Sequence, residues 1–193
     1  PSTSSAASDV YKRQGLLLKT FADIDVFDIE VDTEDTESFI QTVVNISKTF
    51  GGINLEDIKA PECFEIERRI AAETDIPVMH DDQHGTAIIS GAALINAVEL
   101  QNKELDQISV VVLGAGASAI ACANHYVALG VKRSNIKMVD SKGILTKKRL
   151  QNDELNKYKA DFAHDIDEGD LSAALKGADV LLGPVSYTHL TLP

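Results

Sequence analysis

Positive charge is in short supply. Against 30 Asp and Glu the chain carries 18 Lys and Arg, a formal net charge of −12 over 193 residues. Sequence-independent nucleic-acid binding needs a dense Lys/Arg footprint, so this balance argues against it, and an anionic membrane surface is disfavoured for the same reason. Most of the acidic surplus is read as a source of solubility. Cysteine is scarce too. Cys63 and Cys122 lie far apart and form no CxxC pair. Each is read as a small packed apolar side chain, a usage that fits a reducing cytoplasm. Long apolar runs are missing. The longest, "TAIISGAALINAVEL" at residues 86–100, has 15 residues and contains Gly91 and Asn96. It is too short to span a bilayer and is expected to form a buried helix. The first residues show no basic segment leading into an apolar core, so no secretory signal is read there.

What is present fits a globular α/β protein. A hydrophobic content of 44% is ordinary, and 193 residues suffice for one large domain or two small ones. The two ends stand apart. Residues 1–14, "PSTSSAASDVYKRQ", have almost no apolar periodicity, and "VSYTHLTLP" follows the last strand pattern with no further element. Both resemble translated adapter sequence, so the chain is expected to be an internal fragment, with residues 1–14 and 184–193 as non-native flanks. Natural disordered tails are the alternative.

Between the ends, "DIDVFDIEVD" (residues 23–32) alternates and is rich in β-branched residues, which predicts a strand. A helix is expected over about 34–50, with Phe39, Ile40, Val43, Val44 and Ile46 on one face and Thr33 or Asp32 as its cap. "GGINLEDI" (51–58) predicts a short strand ending at an acidic pair, and Pro61 suits the first turn of the helix after it. "DIPVMH" predicts another strand ending at an acidic pair, with a helix from about Thr86. A polar break, "QNKELDQ", follows, and the domain boundary is placed near Asn102: 15–102 as one domain and 103–183 as a second. In the second, "ISVVVLG" is a continuous apolar run of the kind buried on both faces of a parallel sheet. A helix over 117–129 and a strand over 135–140 complete a βαβ unit. "LSAALKGADVLLG" adds one more helix and strand.

The loop "GAGASA", Gly114–Ala115–Gly116–Ala117–Ser118–Ala119, matches the dinucleotide fingerprint GxGxxG/A between a strand and a helix. The first glycine makes the turn and the second admits a pyrophosphate. A small third residue lets helix and strand pack closely. Phosphates would meet the free N–H groups and the positive end of the helix dipole. Asp140 ends the next strand, 21 positions beyond Ala119, where a carboxylate could accept from a ribose. It leans towards NAD, while Lys142, Lys147, Lys148 and Arg149 could offset it for NADP, so the coenzyme stays open. Ser141 and Lys142 complete the candidate cofactor set.

Two acidic pairs, Glu56–Asp57 and Asp81–Asp82, each follow a predicted strand and precede a predicted helix. Ligands of open α/β sheets gather at the carboxyl ends of strands, so both pairs could face one crevice. Converging carboxylates would call for a divalent cation, and an all-oxygen set suits Mg²⁺ or Mn²⁺. Two solvated acidic turns explain the same residues equally well. Zinc is a third reading, since His80 and His84 have the HExxH spacing with Asp81 in place of the glutamate. Pro77 and the expected helix start beyond Gly85 weigh against it, because they take the histidines off one helical face. His125 is read as packing or surface and His164 as part of a solvated charged stretch. Lys19, Asp23 and Asp25 have no role from spacing alone.

Five blocks together, "FADIDVFDIEVDT", "TFGGINLEDIKAPECFEIERR", "DIPVMHDDQHGTAIISGAALINA", "VVVLGAGASAIA" and "VDSKGI", resemble malic enzyme, especially its bacterial form. The resemblance runs in order over about 15–183. It implies part of the malic enzyme N-terminal α/β domain followed by a truncated Rossmann-type doubly wound domain. It also implies oxidative decarboxylation of malate to pyruvate and CO₂ with NAD(P)⁺ and Mg²⁺ or Mn²⁺, in a homo-oligomeric parent. On this resemblance Glu56, Asp57 and Asp82 fall on the metal ligands and Asp81 on a neighbouring aspartate that assists proton chemistry. The glycine loop and Asp140 fall on the nucleotide site. The family's catalytic tyrosine would lie before residue 1, its catalytic lysine near Gln14, and its malate-holding asparagine loops beyond 183. Metal and nucleotide binding with little turnover is therefore expected of this chain, together with poor solubility from an unpaired sheet edge. A metal-independent Rossmann dehydrogenase and a non-catalytic nucleotide-binding module are the alternatives, and both dispense with the carboxylate set.

Overall fold

A computed structural model describes residues 14–184. The chain divides into two compact units between Thr42 and Val43. In the first, a helix α1 (14–22) is followed by irregular chain up to Asp35. The strand expected over 23–32 does not form. Alternation fits a half-buried strand, but a strand forms only where a neighbouring strand takes up its N–H and C=O groups. Here Ile24, Val26, Phe27 and Ile29 are all exposed, so neither side of the alternating pattern is buried. Lys19 instead reaches Asp23 (2.6 Å) and Asp25 (2.9 Å) just past the helix end.

The helix α2 (Thr36–Ser47) begins where its cap allows. The Asp35 carboxylate accepts from the Ser38 N–H at 2.7 Å, and the Thr33 hydroxyl accepts from the Asp35 N–H. Asp35 is thus the cap, in place of the expected Thr33 or Asp32, because an Asx side chain reaches the N3 amide from the residue next to the first turn. Ile40, Val43 and Ser47 are its buried positions, at helical spacing.

In the second unit, β1 (Ile53–Leu55) and β2 (Val78–His80) pair in parallel, with Leu55 opposite His80. The crossover between them contains α3 (Glu62–Glu73), which buries Cys63, Ile66 and Ile70. The helix α4 (Asp81–Leu100) starts directly from β2, five residues earlier than its apolar pattern predicts. Nor is it buried all round. Gln83, Ala87, Gly91, Leu94 and Val98 form its buried stripe, whereas Ile89 is 70% exposed and Ile88, Ile95 and Leu100 also face outward. An apolar circumference says how much a helix could bury, not how many neighbours it will have.

The nucleotide-fold part is built around β3 (Val110–Leu113), whose Val110, Val111 and Val112 are fully buried. The helix α5 (Ala117–Leu129) follows and ends at Gly130, whose φ of +119° closes the helix in the left-handed region. Then come β4 (Ile136–Asp140), β5 (Gly143–Ile144) and the short helices α6 (Lys147–Gln151), α7 (Lys157–Ala160) and α8 (Leu171–Leu175), and last β6 (Val180–Leu182). The strand order is β5-β4-β3-β6, with β4 and β6 parallel to β3 and β5 antiparallel to β4. Thr146, Asn156 and Asp170 cap α6, α7 and α8 with their side-chain oxygens. The core on one side of the sheet joins Val110, Val112, Ile136 and Met138 to Leu94 and Val98 of α4 and Ile120 and Ala123 of α5. On the other, Val111, Val139 and Ile144 pack with Ala174 of α8. Both faces are covered, which is why β3 reads as a continuous apolar run.

Candidate nucleotide and carboxylate sites

The glycine loop forms as its spacing predicts. Gly114 has φ +110°, a conformation that a residue with a β-carbon rarely adopts, and its N–H donates to the Val139 carbonyl at 2.7 Å. Gly116 occupies the N-cap of α5 with no side-chain cap, and a β-carbon there would meet nothing within 4 Å. The first-turn N–H groups of α5 have no partner inside the helix, and the space beside Gly116 is open. Ala119, the third position, is buried where the helix meets the strand, as a small residue there allows. Ala115 and Ala117 lie in the loop and first turn. Ser118 does not face that approach, since its buried hydroxyl donates to the Asp82 carbonyl on α4.

Asp140 is held more firmly than a free ribose acceptor would be. Arg149 grips both carboxylate oxygens, at 3.0 Å each, while Lys159 Nζ stands 3.1 Å from Oδ2 and the Lys142 N–H donates to Oδ1 at 3.0 Å. Four donors meet a carboxylate with about four lone-pair positions, so its acceptor capacity is filled. Burial pushes the Asp140 carboxyl up, but Arg149, the Lys142 amide and Lys159 outweigh it and hold the group below the usual carboxylate range. The Arg149 guanidinium is raised in turn by Asp140, against its own desolvation. Arg149 is buried, and it also donates to the Gly143 and Ile144 carbonyls at 3.1 Å, which ties α6 to the β4–β5 turn. Ser141 and the Lys142 side chain are exposed beside this cluster. Neither the structural part of Arg149 nor that of Lys159 can be read from sequence, since both return to Asp140 through the fold.

The acidic pairs follow adjacent parallel strands. Leu55 lies opposite His80, so Glu56–Asp57 and Asp81–Asp82 leave the same carboxyl edge of the β1–β2 pair. Asp57 has φ +54°, and Glu56 accepts from the Asn54 side chain at 2.8 Å. Asp81 and Asp82 form the first turn of α4, so both sit at its positive end. Gly85 marks no break. A β-carbon there would come within 2.3 Å of Asp81 Oδ1, so the glycine leaves room for the Asp81 carboxylate to fold back over the helix. Among the described residues, no group of three or more His, Cys, Asp or Glu side chains stands close enough to hold a metal ion. The carboxylates are the right kind of donor for a hard cation and share one edge, which fits Mg²⁺ or Mn²⁺ in chemistry and placement, but their side chains are not gathered around a point.

The histidines of the HxxxH spacing serve other ends. The His80 ring is completely buried with no hydrogen-bond partner on either nitrogen among the described residues, and His84 Nε2 lies 2.7 Å from Glu67 Oε1. The helix does start before both Gly85 and His84, contrary to expectation, yet no third ligand joins the two imidazoles. Glu67 was not visible as a functional residue. The available signal was a carboxylate on the apolar stripe of α3, between Ile66 and Ile70 and one turn after Cys63. An open cleft of about 500 Å³ borders Phe64, His84, Ile88, His125 and Tyr158, and neither acidic pair nor the glycine loop lines it. No described helix is long and apolar enough to cross a membrane.

Comparison with known proteins agrees with this geometry. Residues 83–183 match the malic enzyme NAD-binding domain, and residues 32–71 match the malic enzyme N-terminal domain. The chain belongs to the malic enzyme family. The match to the NAD-binding domain takes in nearly all of α4 as well as the Rossmann-type sheet. An NADP-dependent malic enzyme of Halomonas elongata is 49% identical over 178 residues, which are 92% of this chain and 42% of that protein. An NAD-dependent malic enzyme of Rhizobium meliloti is 47% identical over 178 residues, 92% of this chain and 23% of that one. The crystal structure of an NAD-dependent malic enzyme from Thermotoga maritima superposes with a TM-score of 0.86 at 40% identity, covering 97% of this chain and 50% of that chain. The chain thus spans less than half the length of these curated relatives.

Proposed function

We propose that this chain carries the metal-binding edge and the nucleotide loop of an NAD(P)-dependent malic enzyme, which converts malate to pyruvate and CO₂. The observation that carries this reading is the parallel register of Leu55 with His80. It sends both acidic pairs from one strand edge, beside a helix turn that the nucleotide helix holds through Ser118. Glu56, Asp57 and Asp82 would hold Mg²⁺ or Mn²⁺. That ion, when bound, supplies Lewis-acid polarisation of the substrate's C2 oxygen.

The chain's own residues do the rest. The first-turn amides of α5 and the open approach at Gly116 would hold the pyrophosphate of NAD(P)⁺, a group that would supply the hydride acceptor for C2. The hydroxyl proton must leave as the hydride does. Asp81, folded back over Gly85 and adjacent to Asp82, would assist that transfer. Loss of CO₂ then leaves an enolate that a proton converts to pyruvate. NAD and NADP both remain as coenzymes, and relatives of both names match at near-equal identity.

A second reading, a nucleotide-binding module without metal, is favoured by one observation: the carboxylates are not gathered. A Mn²⁺ titration of the folded chain, with and without malate, decides between the two. Saturable binding lost in Asp82→Asn supports the enzyme reading. A folded chain that binds nucleotide but no Mn²⁺ sinks it.

A further inference from the structure

Glu67 touches the β2–α4 junction at three points. Its Oε1 accepts from the His80 N–H at 3.1 Å and stands 2.7 Å from His84 Nε2, and its Oε2 accepts from the Gln83 side chain at 3.1 Å. The three partners flank Asp81 and Asp82 on both sides. Glu67 comes from the middle of α3, and its side chain is only 15% exposed. Gln83 is buried, so that end of the tie is interior, while His84 at the other end is half-exposed. A carboxylate at the amino end of α4 also complements the helix dipole.

We infer that Glu67 is a positioning residue, a brace from α3 that fixes the turn presenting Asp81 and Asp82. The inference deepens the malic enzyme reading of that turn and rests on it for the chemistry the turn serves. The residues that open a helix have unpaired N–H groups and fray first, and a metal ligand on such a turn must be held within a fraction of an ångström to bind tightly. Ser118 restrains the Asp82 carbonyl from the α5 side. Glu67 restrains the same turn from the α3 side, at residues before and after the acids. The two restraints come from different elements, so loss of either leaves the turn held on one side only.

Two substitutions separate this role from a simple loss of charge. Glu67→Ala removes all three contacts. Glu67→Gln keeps an oxygen for the His80 N–H, and an amide flip of Gln83 restores a bond at the other end. Hydrogen exchange is read first, on the chain itself. In Glu67→Ala the amides of residues 84–88, the first that α4 pairs, should exchange at least about tenfold faster, while those of β3 stay protected. Glu67→Gln should remain within about threefold of the parent chain. Mn²⁺ affinity should follow the same order, falling about tenfold or more in the alanine variant and recovering in the glutamine variant. Unchanged exchange at 84–88 in Glu67→Ala overturns the inference. So does equal loss of Mn²⁺ binding in both variants without a change in exchange, which would make Glu67 a remote charge only. If the parent chain binds no Mn²⁺, the functional reading fails while the exchange result still decides the brace.

Discussion

The Ser118 hydroxyl, in the first turn of the helix that follows the glycine loop, donates to the backbone carbonyl of Asp82, in the first turn of the helix that follows β2. The turn proposed to receive phosphate and the turn proposed to hold a cation are therefore joined by one hydrogen bond. Ser118→Ala should lower stability by about 0.5–1.5 kcal/mol, the usual net worth of such a bond. Its local signature should be faster amide exchange at residues 82–86 with β4 unchanged. A uniform change across the sheet would show that the bond has no local role.

Acid should act through Asp140. Its folded-state carboxyl lies below the usual range, and an unfolded Asp titrates near about 3.9. The clamp's contribution is thus fully present above about pH 4–5 and is lost as pH falls through the lower native value. Asp140→Asn should remove this part of the acid sensitivity. At neutral pH it should also cost about 2–4 kcal/mol, because Arg149 is left buried without its main partner. Urea unfolding midpoints across pH 2.5–7 would test both, and parallel curves for the two proteins would refute the assignment.

The contact of α4 with α5 depends on a missing side chain. A β-carbon on Gly91 would lie 2.7 Å from the His125 ring and 3.2 Å from Leu129 Cδ1. Gly91→Ala gains helix propensity but forces the imidazole aside, and the net change should be a loss of about 1 kcal/mol. His125→Ala should make the same substitution neutral or stabilising. Additive effects in the double mutant would mean that the two residues do not meet.

The two thiols should be inert while the chain is folded. Burial pushes Cys63 up to about 11, and Cys122 is raised by the same cause. Both side chains are fully buried. An aromatic disulfide reagent at pH 7.5 should titrate no thiol in the native chain and two in denaturant. Rapid labelling of either without denaturant would contradict the packing.

Local pattern carried the loop at Gly114–Ala119 into view, because turn, helix start and small third residue all lie within six positions. The same is true of the acids, each pair set against the end of its own short strand. Partnership was not legible. Residues 23–32 alternate like a strand, yet nothing in an alternating run says whether a second strand will lie beside it. Gly85 pointed to a helix start beyond it, while its place in the structure is inside the helix, giving Asp81 space. Arg149 and Lys159 reach Asp140 only after the β4–β5 turn has reversed the chain. Glu67 meets residues 80, 83 and 84 only because α3 crosses back between the paired strands. In each case the missing information was which segment would come alongside.

The strand order carries a consequence for how the chain comes together as it is made. β3 lies inside its sheet, and the ladder on one of its sides closes with β6, where Ser109 and Asp179 meet across 70 residues. Until that late segment emerges, the most apolar strand of the chain has an open side. Contacts that close long loops form slowly, so the interval between synthesis of Val110 and of Val180 is a period of exposure. Faster elongation, which shortens it, or a chaperone that covers strand edges while it lasts, should raise the yield of correctly folded chain without altering one native contact.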